Sequence, residues 1–394
     1  MKTPFAFLAL VGLTTFAHAD WLQFRGPNGA SIAADNKQPA DALKVAWTAA
    51  LPGRGLSAPI IVGDKVFITA ASGPSQETLH VFCFKASDGS KLWERTMRAT
   101  GRTMSHTKTC VAAPTPCSDG KHVFALYSSN DLFAFDLDGN LKWLRGLTYD
   151  YANASNSLGM SQSPVVAGGV LVVQSENDSE SFAAGIDIAT GRNKWKIDRP
   201  KAANWSSAIV YQAKGQEPVV GLQSSKGLLG VDPQTGKQVW NYGEGASTIP
   251  SSALSNGVIY APSNGITALV PEGSSVSQLW RNDKLAPGTS SPIALGDHVY
   301  VVNKAGVVIQ ASIKDGAENW KLRLEGPPFS GSPVGAGKML YIVSERGTFQ
   351  AIDTTTKEGS VTQTIALGET VLTTPAIDDG ALYVRSDGKL WKIQ

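Results

Sequence analysis

Short apolar runs recur along the chain in pairs, and a glycine turn followed by a tryptophan closes most of them. The first run of each pair reads VFITA, VFALY, VLVVQ, VIYAP, VYVVN, LYIVS or LYVRS, and the second reads LHVFCF, LFAFD, FAAGID, LLGVD, ITALV, VIQAS or FQAID. Runs this short, alternating or near-continuous in apolar character, predict β-strands rather than helices. The turns lie in SDGSKLW, DLDGNLKW, ATGRNKW, QTGKQVW and KDGAENW, where Gly89, Gly139, Gly191, Gly236 and Gly316 each precede a tryptophan by four residues. Such Asp-Gly and Thr-Gly steps are tight-hairpin signals, because glycine accepts the positive φ the turn needs. Ahead of the first run sits a small residue with proline, as in Ala58-Pro59, Ser163-Pro164, Ser291-Pro292, Ser332-Pro333 and Thr374-Pro375. Each unit therefore predicts four antiparallel strands, A to D, with the tryptophan on D.

Trp47, Trp93, Trp143, Trp195, Trp240, Trp280 and Trp320 follow one another at intervals of 40 to 52 residues, the length of a propeller blade. The ends of the chain fix the number of blades. Residues 371–394 supply only A, B and C, while Val45, Ala46 and Trp47 form a D strand with nothing before it. Joining the spare strand to the short module predicts a single eight-bladed all-β propeller over 44–394, closed so that no sheet edge is left between modules. The strand-D tryptophans are expected to pack flat between blades.

Composition narrows the class. With 42% apolar and 17% charged residues the chain should fold throughout, and a net charge of +2 argues against nucleic acid as a partner. Lys2, the apolar run Phe5 to Phe16 and Ala17-His18-Ala19 form the pattern of a cleaved secretory signal over 1–19. Asp20 follows it, so no lipid-bearing cysteine is expected there, and 20–43 reads as an N-terminal extension. No later apolar run is long enough to span a membrane. These features predict a periplasmic or secreted monomer. Cys83, Cys110 and Cys117 are odd in number, and the extended segment between the last two cannot bring their Cα atoms within bridging distance, so buried thiols are expected.

Candidate chemistry lies in the D-to-A connections, which run inward to the propeller axis. Two are long, Glu94 to Thr109 and Leu144 to Ser161, and long loops on a rigid scaffold often carry function. The first holds Arg98, Arg102, His106 and Lys108, with no acidic residue from Arg95 through Ser118; the second holds Arg145, Tyr149, Tyr151 and Asn156. Arg54 and Trp205 join them from other connections. Cationic, aromatic and amide groups gathered at one channel mouth suit an anionic or hydroxyl-rich ligand, or an acidic patch on a protein. Hydroxyl-rich starts such as SSP are expected to bond backbone at the crowded centre. No metal-ligand spacing and no catalytic constellation is visible.

The repeat, a small residue with proline, then Tyr-Val, then Leu-x-Ala-apolar-Asp, then Thr-Gly-x-x-x-Trp, resembles the PQQ-like β-propeller repeat family from Lys44 to Gln394. The opening WLQFRGPNG, Trp21 to Gly29, is similar to the start of secreted PQQ-like proteins of planctomycete-type bacteria. Quinoprotein dehydrogenases of this kind hold pyrroloquinoline quinone and calcium, and the resemblance would then imply an adjacent cysteine pair, calcium ligands and an Asp base. This sequence has no adjacent cysteines, and none of those residues transfers to a position here. BamB-type relatives use a similar ring as a non-catalytic scaffold. The resemblance therefore implies an exported BamB-like propeller without cofactor, binding an envelope or extracellular protein or a polyanionic or saccharide ligand. A PQQ-dependent dehydrogenase and a hydrolase or lyase with a channel site are the alternatives.

Overall fold

The computed structural model describes residues 20–154, 158–212 and 215–394, so the segment 1–19 expected to be a secretory signal and Asn156 lie outside the described residues. The chain forms eight sheets, each of four antiparallel strands. Blade 1 holds Ile60–Val62, Lys65–Ser72, Thr78–Lys85 and Lys91–Arg98. Blade 8 holds Ala376–Asp378, Ala381–Arg385 and Lys389–Ile393, and takes Val45–Ala50 from the other end of the chain as its fourth strand. Val45 pairs with Ile393 and Ala50 with Lys389, the expected closure.

Strand composition follows position in the blade. B and C strands are covered on both faces by neighbouring blades, so runs such as Val170–Ser175 are wholly buried and read as continuous apolar sequence. D strands form the outer edge, and Asn193–Asp198 alternates exposed charge with buried Trp195. Charge on that free edge disfavours pairing with another chain.

The tryptophans latch the blades together. Trp47 lies against the C–D turn of blade 1 and donates from Nε1 to Ala86 O at 3.1 Å; Trp93 donates likewise to Leu137 O and Trp143 to Ile188 O in the next blades. Gly89 shows what the turn must supply: its φ is 73°, and a Cβ there would sit 2.5 Å from the Trp47 ring. Blade 7 lacks the tryptophan for a geometric reason. Its successor, blade 8, has its chain ends where a C–D turn should be. Gln363 occupies the strand position that Trp320 holds in blade 6, directly after the bulged residue. There it accepts from Leu43 N at 2.8 Å and donates to Leu43 O, gripping the incoming N-terminal strand instead.

At the axis, hydroxyls join the A strands head to tail. Thr115, Ser163, Ser207, Ser251, Ser291, Ser332 and Thr374 each accept the backbone N–H of the matching residue one blade earlier, at 2.8 to 3.0 Å. The circle is broken at blade 1, where Ala58 stands. Cys83, Cys110 and Cys117 are buried free thiols, and burial pushes Cys83 and Cys110 up to about 12.

The N-terminal extension crosses one end of the channel. Trp21 exchanges backbone hydrogen bonds with Ile61 of blade 1, Ser118 N of blade 2 donates to Leu22 O, and Ala33 N donates to Gly335 O of blade 7. Between them Arg25 is fully buried and donates to Ser31 Oγ, Ser252 O and Pro292 O, all neutral oxygens. Burial away from any carboxylate lowers its pKa to about 9. Residues 21–33 thus seal the end that carries the A–B and C–D turns.

Candidate functional site

The other end is open. A cavity of about 430 Å³ occupies the axis there, and every D-to-A connection contributes to its wall. Phe24 of the N-terminal seal faces into it, the seven bridging hydroxyls ring it, and Leu56, Leu158, Trp205, Ile249 and Leu372 add apolar surface nearer the rim. Each bridging hydroxyl accepts one N–H and keeps its O–H donor and a second lone pair for a ligand. His106 and Lys108 are the titratable side chains of the lining.

The two long loops meet, as expected: His106 N donates to Leu158 O at 3.0 Å. The first loop is tied down by Thr100, whose hydroxyl donates to Asp131 at 2.6 Å, and by Arg54, which donates to Thr107 O. Lys108 reaches over the mouth to Glu345 of blade 7 at 3.2 Å, and Ser330 Oγ donates to the same carboxylate. Trp205 is half-buried, fixed by its Nε1 donating to Gly159 O at 2.9 Å.

Of the expected site residues, His106, Lys108 and Trp205 converge on the cavity, with Arg54 behind them. Arg102 is exposed on the loop beside Met104, outside the lining. The expected loop limits need correction. Strand D of blade 1 runs to Arg98, because Thr78 at the far end of strand C pairs with it, so Arg98 points outward from the sheet edge. Arg145 lies on strand D of blade 2 and donates to Gly191 O and Asn193 Oδ1. Arg95 makes the same bond to Gly139 O, so both arginines extend the tryptophan latch. Tyr151 is buried against Phe182, ring centroids 4.0 Å apart, between blades 2 and 3. Tyr149 is 81% exposed on the helical turn Leu147–Asp150, away from the cavity.

Phe24, Ile249 and Leu372 were not foreseen as lining residues. The aromatic-rich WLQFRGPNG segment was the one available signal, since such a segment outside the repeat must bury its rings somewhere. Met104, Tyr149, Leu158 and Ile249 leave this face with exposed apolar side chains.

The family model for outer membrane protein assembly factor BamB matches residues 38–157, 98–322 and 320–394. The chain belongs to this BamB family. BamB from Bordetella pertussis is 27% identical over 219 residues, which cover 55% of this chain and 48% of that protein. The chain thus matches about half the length of this curated relative. Among solved structures, BamB from Moraxella catarrhalis superposes with a TM-score of 0.66 at 16% identity, covering 90% of this chain and 98% of that one. Quinohemoprotein alcohol dehydrogenase from Comamonas testosteroni reaches 0.73 at 14% identity, covering 95% and 80%. Both likenesses speak to the fold. The calcium that quinoprotein dehydrogenases pair with the quinone finds no fitting ligand set here: among the described residues no carboxylate lines the cavity and no cluster of three His, Cys, Asp or Glu side chains could hold a metal. No helix among the described residues is long and apolar enough to cross a membrane.

Proposed function

We propose that this BamB-family propeller is exported and that its open mouth serves as a non-catalytic scaffold for a partner protein. Assembly of outer membrane proteins, the role named for its relatives, is the setting. The observation that carries the reading is the asymmetry of the channel: one end is sealed by residues 21–33, and the other presents a cavity with an exposed apolar rim and the acid-free segment 95–118. A partner that seats an apolar side chain beside Trp205 and sets carboxylates against Arg102 and Lys108 would satisfy both features. A rim whose first loop carries cations and no carboxylate favours an acidic partner and speeds encounter, and Lys108 would exchange Glu345 for a carboxylate of that partner. The experiment is capture from an envelope extract with wild type and with Trp205→Ala/Lys108→Ala. Loss of the captured protein by the double variant is expected, and equal capture would reject the mouth as the binding face. Thermal melting with pyrroloquinoline quinone and calcium addresses the dehydrogenase alternative, because a ligand specific for the folded state must raise the melting temperature. No shift is expected.

A further inference from the structure

Outside the mouth, blade 1 carries a hydrogen-bonded chain that the sequence does not announce. Ser72 closes strand B, His80 lies on strand C and Glu94 on strand D. The register pairs Ala70 with His80 and Phe82 with Glu94, which brings three residues from three strands into one line. Ser72 Oγ is 2.7 Å from His80 Nε2, and His80 Nδ1 is 3.0 Å from Glu94 Oε1. These are the distances expected of a nucleophile, its base and the group that orients the base. With Nδ1 protonated toward Glu94, Nε2 is left to accept the Ser72 proton.

The surroundings hold that arrangement in place. His80 is buried and stacks on Phe82 at 5.6 Å, so the imidazole cannot swing away. Burial alone would raise the Glu94 pKa, but bonds from Lys91 and His80 outweigh it and keep the carboxylate ionised. Ser72 is half-buried and ends at the open face, beside exposed Gly53, Gly73 and Pro74. An incoming carbonyl oxygen would need a backbone donor, and the adjacent Gly73 N–H is the candidate in sequence.

We infer that Ser72, His80 and Glu94 form a second, acyl-transfer site that accepts small activated esters. Ser72 Oγ attacks the carbonyl carbon and gives its proton to His80 Nε2. The carbonyl–oxygen bond to the leaving group breaks, and His80 protonates that oxygen as it departs. Water, deprotonated by the same nitrogen, then releases the acid and restores the serine. This inference stands apart from the mouth reading, since it uses none of the cavity residues.

The test is to treat the full chain with a fluorophosphonate and with p-nitrophenyl acetate and to locate the adduct by peptide mass. One equivalent of label on Ser72 of the native protein is expected, with none after unfolding in urea. Ser72→Ala should abolish it, and His80→Gln should slow acetylation at least tenfold while the far-ultraviolet dichroism stays unchanged. Absence of adduct on Ser72 in the native protein, or equal labelling of native and unfolded chains, would overturn the inference. Because wild type alone gives that reading, misfolding of a variant does not obscure it.

Discussion

The two ends of the channel are built on opposite terms. At the closed end the turns are short, aspartates cap them, and residues 21–33 bury Trp21 and Arg25 with backbone partners on blades 1, 2, 5, 6 and 7. At the open end two of the connections are long, apolar side chains stand in solvent, and the first loop carries cations and no carboxylate after Glu94. One end is packed for stability, whereas the other leaves its surface unsatisfied. Surface left in that condition on a rigid scaffold is where binding is found.

The largest effect expected from breaking this contrast is at Trp21. Its ring is fully buried under the A strands, so Trp21→Ala should cost about 3–5 kcal/mol in denaturant unfolding. Next comes Ser207→Ala, which strands the buried Ser163 N–H inside the ring and should cost about 1–3 kcal/mol. Ala58→Ser tests the same circle from the other side. A hydroxyl there can receive the Thr374 N–H, and the folded state should gain about 0.5–1.5 kcal/mol, read as a higher melting temperature.

The smallest effect concerns pH. Hydrogen bonds from Ser90 hold Asp88, and those from Thr190 hold Asp187, below the ordinary carboxylate value of 3.8. Folded values below unfolded ones mean that the stabilisation is complete above about pH 4 and is lost as pH falls through the folded values. The urea midpoint should therefore hold down to about pH 4 and drop as the pH is lowered further. Both side chains sit in C–D turns, so proton exchange should rise first at the closed end.

What could be read in the sequence was what repeats. Strand order, the tryptophan latch, the bridging hydroxyls and the closure through Val45–Ala50 each recur or complete a recurrence, and all are present. What happens once was hidden. The seal by residues 21–33 has no second copy to reveal its period, and the lengths of the D strands of blades 1 and 2, which carry Arg98 and Arg145 away from the mouth, vary from blade to blade. His106, Lys108 and Trp205 were legible because the D-to-A connection is a fixed address at the axis. Ser72, His80 and Glu94 were not, since only cross-strand register assembles them.

Photo-crosslinking from the two ends tests the central claim most directly. A benzophenone amino acid at Met104, exposed at the open face, and one at Asn28, exposed on the seal, report on opposite surfaces of the same molecule. A partner adduct from Met104 with none from Asn28 is the expected result. An adduct from Asn28 alone would contradict the account.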